Sequence, residues 1–133
     1  MDGRPQFAEV AILRAFEQHG WQGRWVETYG KPRMRPALWR AWNAGGPAAQ
    51  QHVPIAEPWV NERLHAIAHA NGGTFGGCWD VVVWQGDRLR FAESKRRGKD
   101  RMRATQGRWL AAARVCGCSV EHFVVVEWEL TPP

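Results

Sequence analysis

Residues 78–95, CWDVVVWQGDRLRFAESK, constrain the fold more than any other stretch of the chain. Both arms are rich in β-branched and aromatic residues, and Gly86-Asp87 between them suits a two-residue turn with glycine at its first central position, so a β-hairpin is expected. A turn of that length fixes the register: Gln85 opposite Arg88, Trp84 opposite Leu89, Val82 opposite Phe91 and Asp80 opposite Glu93. Because side chains alternate between the faces of a strand, the last three pairs share one face, and Lys95 joins it two residues beyond Glu93.

Asp80 and Glu93 then point the same way. Directly opposed residues have Cβ atoms about 4.5–5.5 Å apart, and like charges at that spacing are destabilising. A hard divalent cation held by carboxylate oxygens would resolve the conflict, with Lys95 adding positive charge beside it. The alternative places Asp80 just outside the strand as a solvated turn residue and pairs Glu93 with Lys95 or an arginine. Convergence of an Asp, a Glu and a Lys at the end of an apolar face favours the metal site.

The 133 residues suit one domain with a hydrophobic core, and no apolar run reaches the length of a membrane span. The N-terminal MDGRPQFAEVAILRAF is interrupted by acids and arginine and does not read as a signal peptide, so a cytoplasmic protein is expected. Cys78, Cys116 and Cys118 form an odd set, which argues against a disulfide framework. His65 and His69 could be drawn with Cys78 as a zinc site, but at that spacing on a polar helix face they read as surface residues.

The formal net charge of +5 points to a polyanionic partner such as nucleic acid. The basic cluster begins where the carboxylates end: Arg96, Arg97, Lys99, Arg101, Arg103 and Arg108 are the candidate nucleic-acid-binding residues. Of the 9 tryptophans, most are expected in the core, with one or two near the site available to stack on unpaired bases.

Residues 6–19 read as a helix stopped by Gly20, with Phe7, Val10 and Leu13 on its core-facing stripe. Glu9 shares an edge of that stripe with Leu13 and Phe16. It is either a first-turn acid favoured by the helix dipole or a third acid aimed at the metal site. GRWVETYG reads as a strand, KPRMRPALWRAW as a segment compatible with a short helix, and NAGGPAAQQHVPIAEP as a loop. Residues 58–70 suit a second helix with proline in its first turn. The glycine-rich NGGTFGG lacks the residues of a phosphate-binding P-loop and reads as a flexible approach to the hairpin. Residues 104–116 form a third helix with Trp109, Leu110, Ala113 and Val115 available for burial. The apolar run in EHFVVVEWEL suits a final strand buried on both faces and parallel to the Glu93 strand.

With these motifs placed, the sequence resembles the PD-(D/E)XK nuclease superfamily, and within it the small VRR-NUC type domains. The resemblance rests on GGCWDVVVW, on FAESK as the E-x-K element, and on TQGRWLAAARVCG. It implies an α/β restriction-endonuclease-like core in the order αβ(α)ββαβ, a mixed central sheet flanked by helices, with residues 31–71 as an insertion in a single domain. By the same resemblance, Asp80 and Glu93 bind Mg²⁺ or Mn²⁺, Lys95 positions or activates the attacking water, and Gln106 supports the site. The backbone carbonyl of Ser94 is a further expected ligand. Glu9 matches the first-helix acid of many members, and Glu62 is its rival. Two departures are Trp79 where the family often has proline, and the length of the 31–71 segment.

The implied activity is metal-dependent hydrolysis of DNA phosphodiester bonds, with structure-specific cutting among the expected modes and RNA not separated from DNA by the sequence. The alternative is an inactive nucleic-acid-binding module of the same fold, which would be expected to have lost at least one of Asp80, Glu93, Lys95 and Gln106. A homodimer is one way for a domain this short to cut both strands, although no interface is specified.

Overall fold

The computed structural model describes residues 5–28, 36–41, 50–97 and 101–128, with the side chains of residues 5–7 and 128 outside that description. Helix α1 (Pro5–Gln18) leads to strand β1 (Gln22–Glu27), the short strand β2 (Ala37–Trp39), helix α2 (Pro58–Ala70), strands β3 (Val81–Gln85) and β4 (Arg88–Arg96), and helix α3 (Ala104–Val115). A 3-10 turn over Val120–His122 then opens strand β5 (Phe123–Trp128). The strands form one mixed sheet in the order β2-β1-β3-β4-β5, antiparallel throughout except for the parallel β4–β5 pair. The protein is a mixed α/β fold.

The hairpin forms for the reason its turn suggests. Gly86 adopts a φ of +61°, which a two-residue turn needs at that position and which side chains resist. The pairs Gln85–Arg88, Trp84–Leu89 and Val82–Phe91 follow. Val82, Trp84, Leu89 and Phe91 bury against Leu64 and Ile67 of α2 and Trp109 of α3. Val81, Val83 and Ala92 bury on the opposite face beneath Ile12 and Leu13 of α1. Both faces of the hairpin are covered, which is why VVVW shows no alternation of polarity. Each of the larger aliphatic and Phe side chains here contributes about 1.5–3 kcal/mol by leaving water.

Helix α1 ends at Gly20, whose amide donates to the Glu17 carbonyl at 3.1 Å. Leu13 is buried and Val10 half-buried, while the Phe7 side chain lies outside the described residues. The segment that follows β2 is held by Arg24. Its buried guanidinium donates to the carbonyls of Val53 (2.7 Å), Pro54 (3.0 Å) and Gly23 (2.7 Å). The glycine-rich approach to the hairpin is tied down rather than flexible. Asn71 Nδ2 donates to the carbonyls of Thr74 (2.8 Å) and Gly76 (3.0 Å), and Phe75 buries against Trp109.

Three expectations are corrected. Residues 37–39, read as part of a segment compatible with a short helix, form β2, because pairing with β1 joins Trp25 to Trp39 and buries both. Val115 is 81% exposed at the end of α3, where Ala112 takes the buried position instead. Strand β5 is not buried on both faces: it is the sheet edge, and Val124 and Val125 are 37% and 45% exposed. Helix α1 packs chiefly on β1, β3 and β4, and Val126 of β5 joins the edge of the cluster beneath it.

Candidate functional site

The site grows from the meeting of two strand ends. Strands β1 and β3 are antiparallel, so the end of β1 lies beside the start of β3, where the Val26 amide donates to the Asp80 carbonyl at 2.7 Å. Asp80 sits one residue before β3, and Glu93 is the next residue of β4 after the Val81–Ala92 pair. The Asp80 amide donates to Glu93 Oε1 at 2.9 Å. Asp80 therefore lies just outside the strand, yet it is half-buried and held against Glu93 rather than solvated.

Glu93 and Lys95 are only 2% and 6% exposed, and Lys95 Nζ lies 3.0 Å from Glu93 Oε2. A buried ion pair is tolerated where its remaining donors and acceptors are satisfied. Gln106, buried in the first turn of α3, supplies that. Its Oε1 accepts from Lys95 Nζ at 3.1 Å and from the Arg103 amide at 2.9 Å, and its Nε2 donates to Glu93 Oε2. These partners fix which way the amide points, since two donors face its oxygen and a carboxylate faces its nitrogen. Trp79 Nε1 donates to the Gln106 carbonyl at 3.3 Å, so this buried tryptophan braces the site and is not available to stack on a base.

The loop before Asp80 lies directly against α3. Gly77 has a φ of +87°, and a Cβ there would stand 2.1 Å from the Thr105 carbonyl oxygen. Glycine is required on both counts.

Glu9 approaches from α1 and hydrogen-bonds Asp80. Burial, then the charges of Asp80 and Glu93, push the Glu9 carboxyl from 4.5 to about 9. Burial, then Glu93, raises Asp80 from 3.8 to about 7, opposed by the Ser94 amide, which donates to it, and by Lys95. Burial is the main cause of both shifts, and the hydrogen bonds from Glu9 to Asp80 and from Asp80 to Glu93 add to it. The neighbouring Cys78 thiol is also pushed up by burial and by the two acids.

These groups border a cleft of about 330 Å³, whose polar lining includes Glu9, Glu27, Asp80, Arg103, Thr105 and Gln106. The carboxylates of Glu9, Asp80 and Glu93 are hard oxygen donors of the kind that suit Mg²⁺ or Mn²⁺. In the present arrangement the acids hydrogen-bond to one another, and among the described residues no group of three or more His, Cys, Asp or Glu side chains is placed to hold a metal ion. The donor chemistry fits such a cation, because a divalent charge would relieve the repulsion among these acids.

Of the residues singled out in the sequence, Glu9, Asp80, Glu93, Lys95 and Gln106 come together, and the Ser94 main chain bonds Asp80. Glu62 does not join them. It is exposed on α2, which turns Val60, Leu64, Ile67 and Ala68 inward. Arg103 lines the cleft, Arg97, Arg101 and Arg108 are exposed, and Arg96 is half-buried at the end of β4. Lys99 lies outside the described residues. Glu27 and Thr105 were not anticipated. Glu27 follows once β1 is known to pair with β3, but nothing local in the sequence names that partner.

No protein-family model, no curated protein and no solved structure matches the chain.

Proposed function

We propose that the protein is a metal-dependent nuclease of the PD-(D/E)XK type, hydrolysing DNA phosphodiester bonds on a single restriction-endonuclease-like domain. The observation that carries this reading is the buried Glu93–Lys95–Gln106 network set beside Asp80 and Glu9. A buried lysine locked between a carboxylate and an amide stabilises a fold poorly for what it costs, and makes sense where its charge is used.

Asp80, Glu93 and Glu9, with the Ser94 carbonyl, would hold Mg²⁺ or Mn²⁺. A cation there supplies charge stabilisation for the phosphoryl oxygens and a more acidic bound water. Lys95 keeps a fixed positive charge where negative charge builds on the phosphate, and Gln106 and Glu93 hold its ammonium in one position. The N-terminus of α3 opens on the cleft through Thr105 and Gln106, and its dipole favours the incoming phosphate. Arg103 at the rim, with Arg97, Arg101 and Arg108 outside it, grips the backbone in a salt-dependent way without reading bases. An inactive module of the same fold has no need of all four residues of the set, and all four are present.

Incubation with labelled single-stranded, duplex, flapped and four-way-junction DNA in Mg²⁺ or Mn²⁺ tests the reading. Metal-dependent cutting of at least one substrate is expected. Binding without cutting in every combination would overturn it.

A further inference from the structure

Arg88 and Arg90 lie just before Glu93 in sequence, and the hairpin carries them away from the basic run that follows it. They sit at the turn end of β4, Arg88 five residues and Arg90 three residues before Glu93, or about 17 Å and about 10 Å along a strand. The chain between α1 and β1 places Trp21 at this end. The Arg88 and Arg90 guanidinium carbons lie 5.1 Å and 5.9 Å from the centre of its ring. Phe16 braces the indole edge-on, with ring centres 5.7 Å apart. Trp21 is half-buried and Arg88 exposed.

Two guanidiniums on one face of one strand are like charges side by side, and stacking on an indole orients them without neutralising them. Among the described residues neither makes an ion pair, Asp87 in the turn included, and Glu17 pairs with Arg14 and Arg40 instead. The excess positive field is felt nearby: His122 is held below its ordinary pKa by burial and then by the charge of Arg90. Trp21 also lines a cleft of about 390 Å³ in which Arg40 is paired with Glu17.

We propose that Trp21, Arg88 and Arg90 form a second nucleic-acid contact, at the opposite end of the hairpin from the carboxylate cleft. The arginines present oriented N–H groups to phosphate oxygens. Two residues apart on a strand, they are about 6.6 Å apart, a spacing suited to neighbouring phosphates of one strand. The spacing of the two guanidiniums and the fork of N–H groups on each suit the regularly spaced oxygens of a phosphodiester backbone, which makes nucleic acid the partner. The contact stands whether or not the cleft cuts, because binding is read without cleavage.

The test is fluorescence anisotropy of a labelled duplex of roughly 20 base pairs, in EDTA, over a series of salt concentrations. Replacing both residues, Arg88→Ala with Arg90→Ala, should flatten the slope of log affinity against log salt by about 1.8, at about 0.9 for each phosphate no longer neutralised. Arg88→Ala alone, an exposed change beside a turn, should flatten it by about 0.9. The Arg88→Lys, Arg90→Lys pair should keep most of the slope. Unchanged slope and affinity in the Arg88→Ala protein and in the double alanine variant overturn the proposal. So does loss of binding to polyglutamate with duplex binding intact, which would make this an acidic-peptide surface. Loss of cleavage in an Asp80→Ala protein that binds duplex normally concerns the cleft alone.

Discussion

Gln106 Nε2 donates to Glu93 Oε2, and this one hydrogen bond ties the first turn of α3 to the middle of β4. The same amide accepts from Lys95 Nζ, so the acid and the base of the E-x-K element are held by a single side chain from another element. Neither Glu93 nor Lys95 can turn without breaking a buried hydrogen bond.

Gln106→Ala should therefore cost about 1–3 kcal/mol in urea unfolding, by leaving buried polar atoms without a partner. It should lower the cleavage rate much more than duplex affinity, since Gln106 faces inward and the basic surface is untouched. Equal losses in both would make Gln106 part of the grip on substrate instead.

Removing Lys95 leaves Glu93 a buried, poorly compensated charge. Lys95→Met should lose about 3–5 kcal/mol of stability, and adding Glu93→Gln to it should recover a large part of that. Urea unfolding of the two variants decides. No recovery in the double variant would show that the pair matters for packing and not for charge.

Gly77→Ala and Gly72→Ala share a positive φ but differ in surroundings. At Gly72, φ +79°, an added Cβ meets nothing within 4 Å, whereas at Gly77 it meets the Thr105 carbonyl at 2.1 Å. The first change should cost about 1 kcal/mol of backbone strain, and the second about 3 kcal/mol or more, because α3 must also shift away from Asp80. Thermal melts separate them, and equal losses would mean that the loop does not seat α3.

Glu9 and Asp80, raised to about 9 and about 7, hold protons in the folded chain that the unfolded chain releases near 4.5 and 3.8. More protons bound to the folded state means stability that is greatest at the acid end of this window. In EDTA it falls as pH rises through it toward about 9. Glu9→Gln should flatten the upper part of that fall. Added Mn²⁺ competes with the protons, so its stabilisation should grow with pH. Melting temperatures across the window check all three, and stability that climbs with pH in EDTA would contradict the acid cluster.

How far the sequence could be read depended on whether information was local. The hairpin register was legible because a two-residue turn leaves no freedom, whereas helical spacing left Glu9 open between a first-turn acid and a third acid of the site. Glu27 was not legible, since its place depends on β1 choosing β3 as partner across more than fifty residues of chain. The same non-local choice made β2 a strand and exposed β5, whose apolar run reads alike at a sheet centre and at an edge. The rivalry of Glu9 with Glu62 turned on which side of the sheet each helix covers, a matter of packing that spacing along one helix does not reveal. Gln106 was named through the family resemblance alone, and its hydrogen bonds to Lys95 and Glu93 depend on how α3 packs on β4, which no local pattern reveals.

The most direct measurement is cleavage of the preferred DNA substrate by the unaltered protein, Asp80→Ala and Lys95→Ala, each with Mg²⁺ and with EDTA. Cutting by the unaltered protein in Mg²⁺ alone, lost in both variants while duplex binding survives, is the expected result. Cutting that persists in EDTA or in Lys95→Ala would contradict a reaction run by the carboxylates and lysine of this cleft.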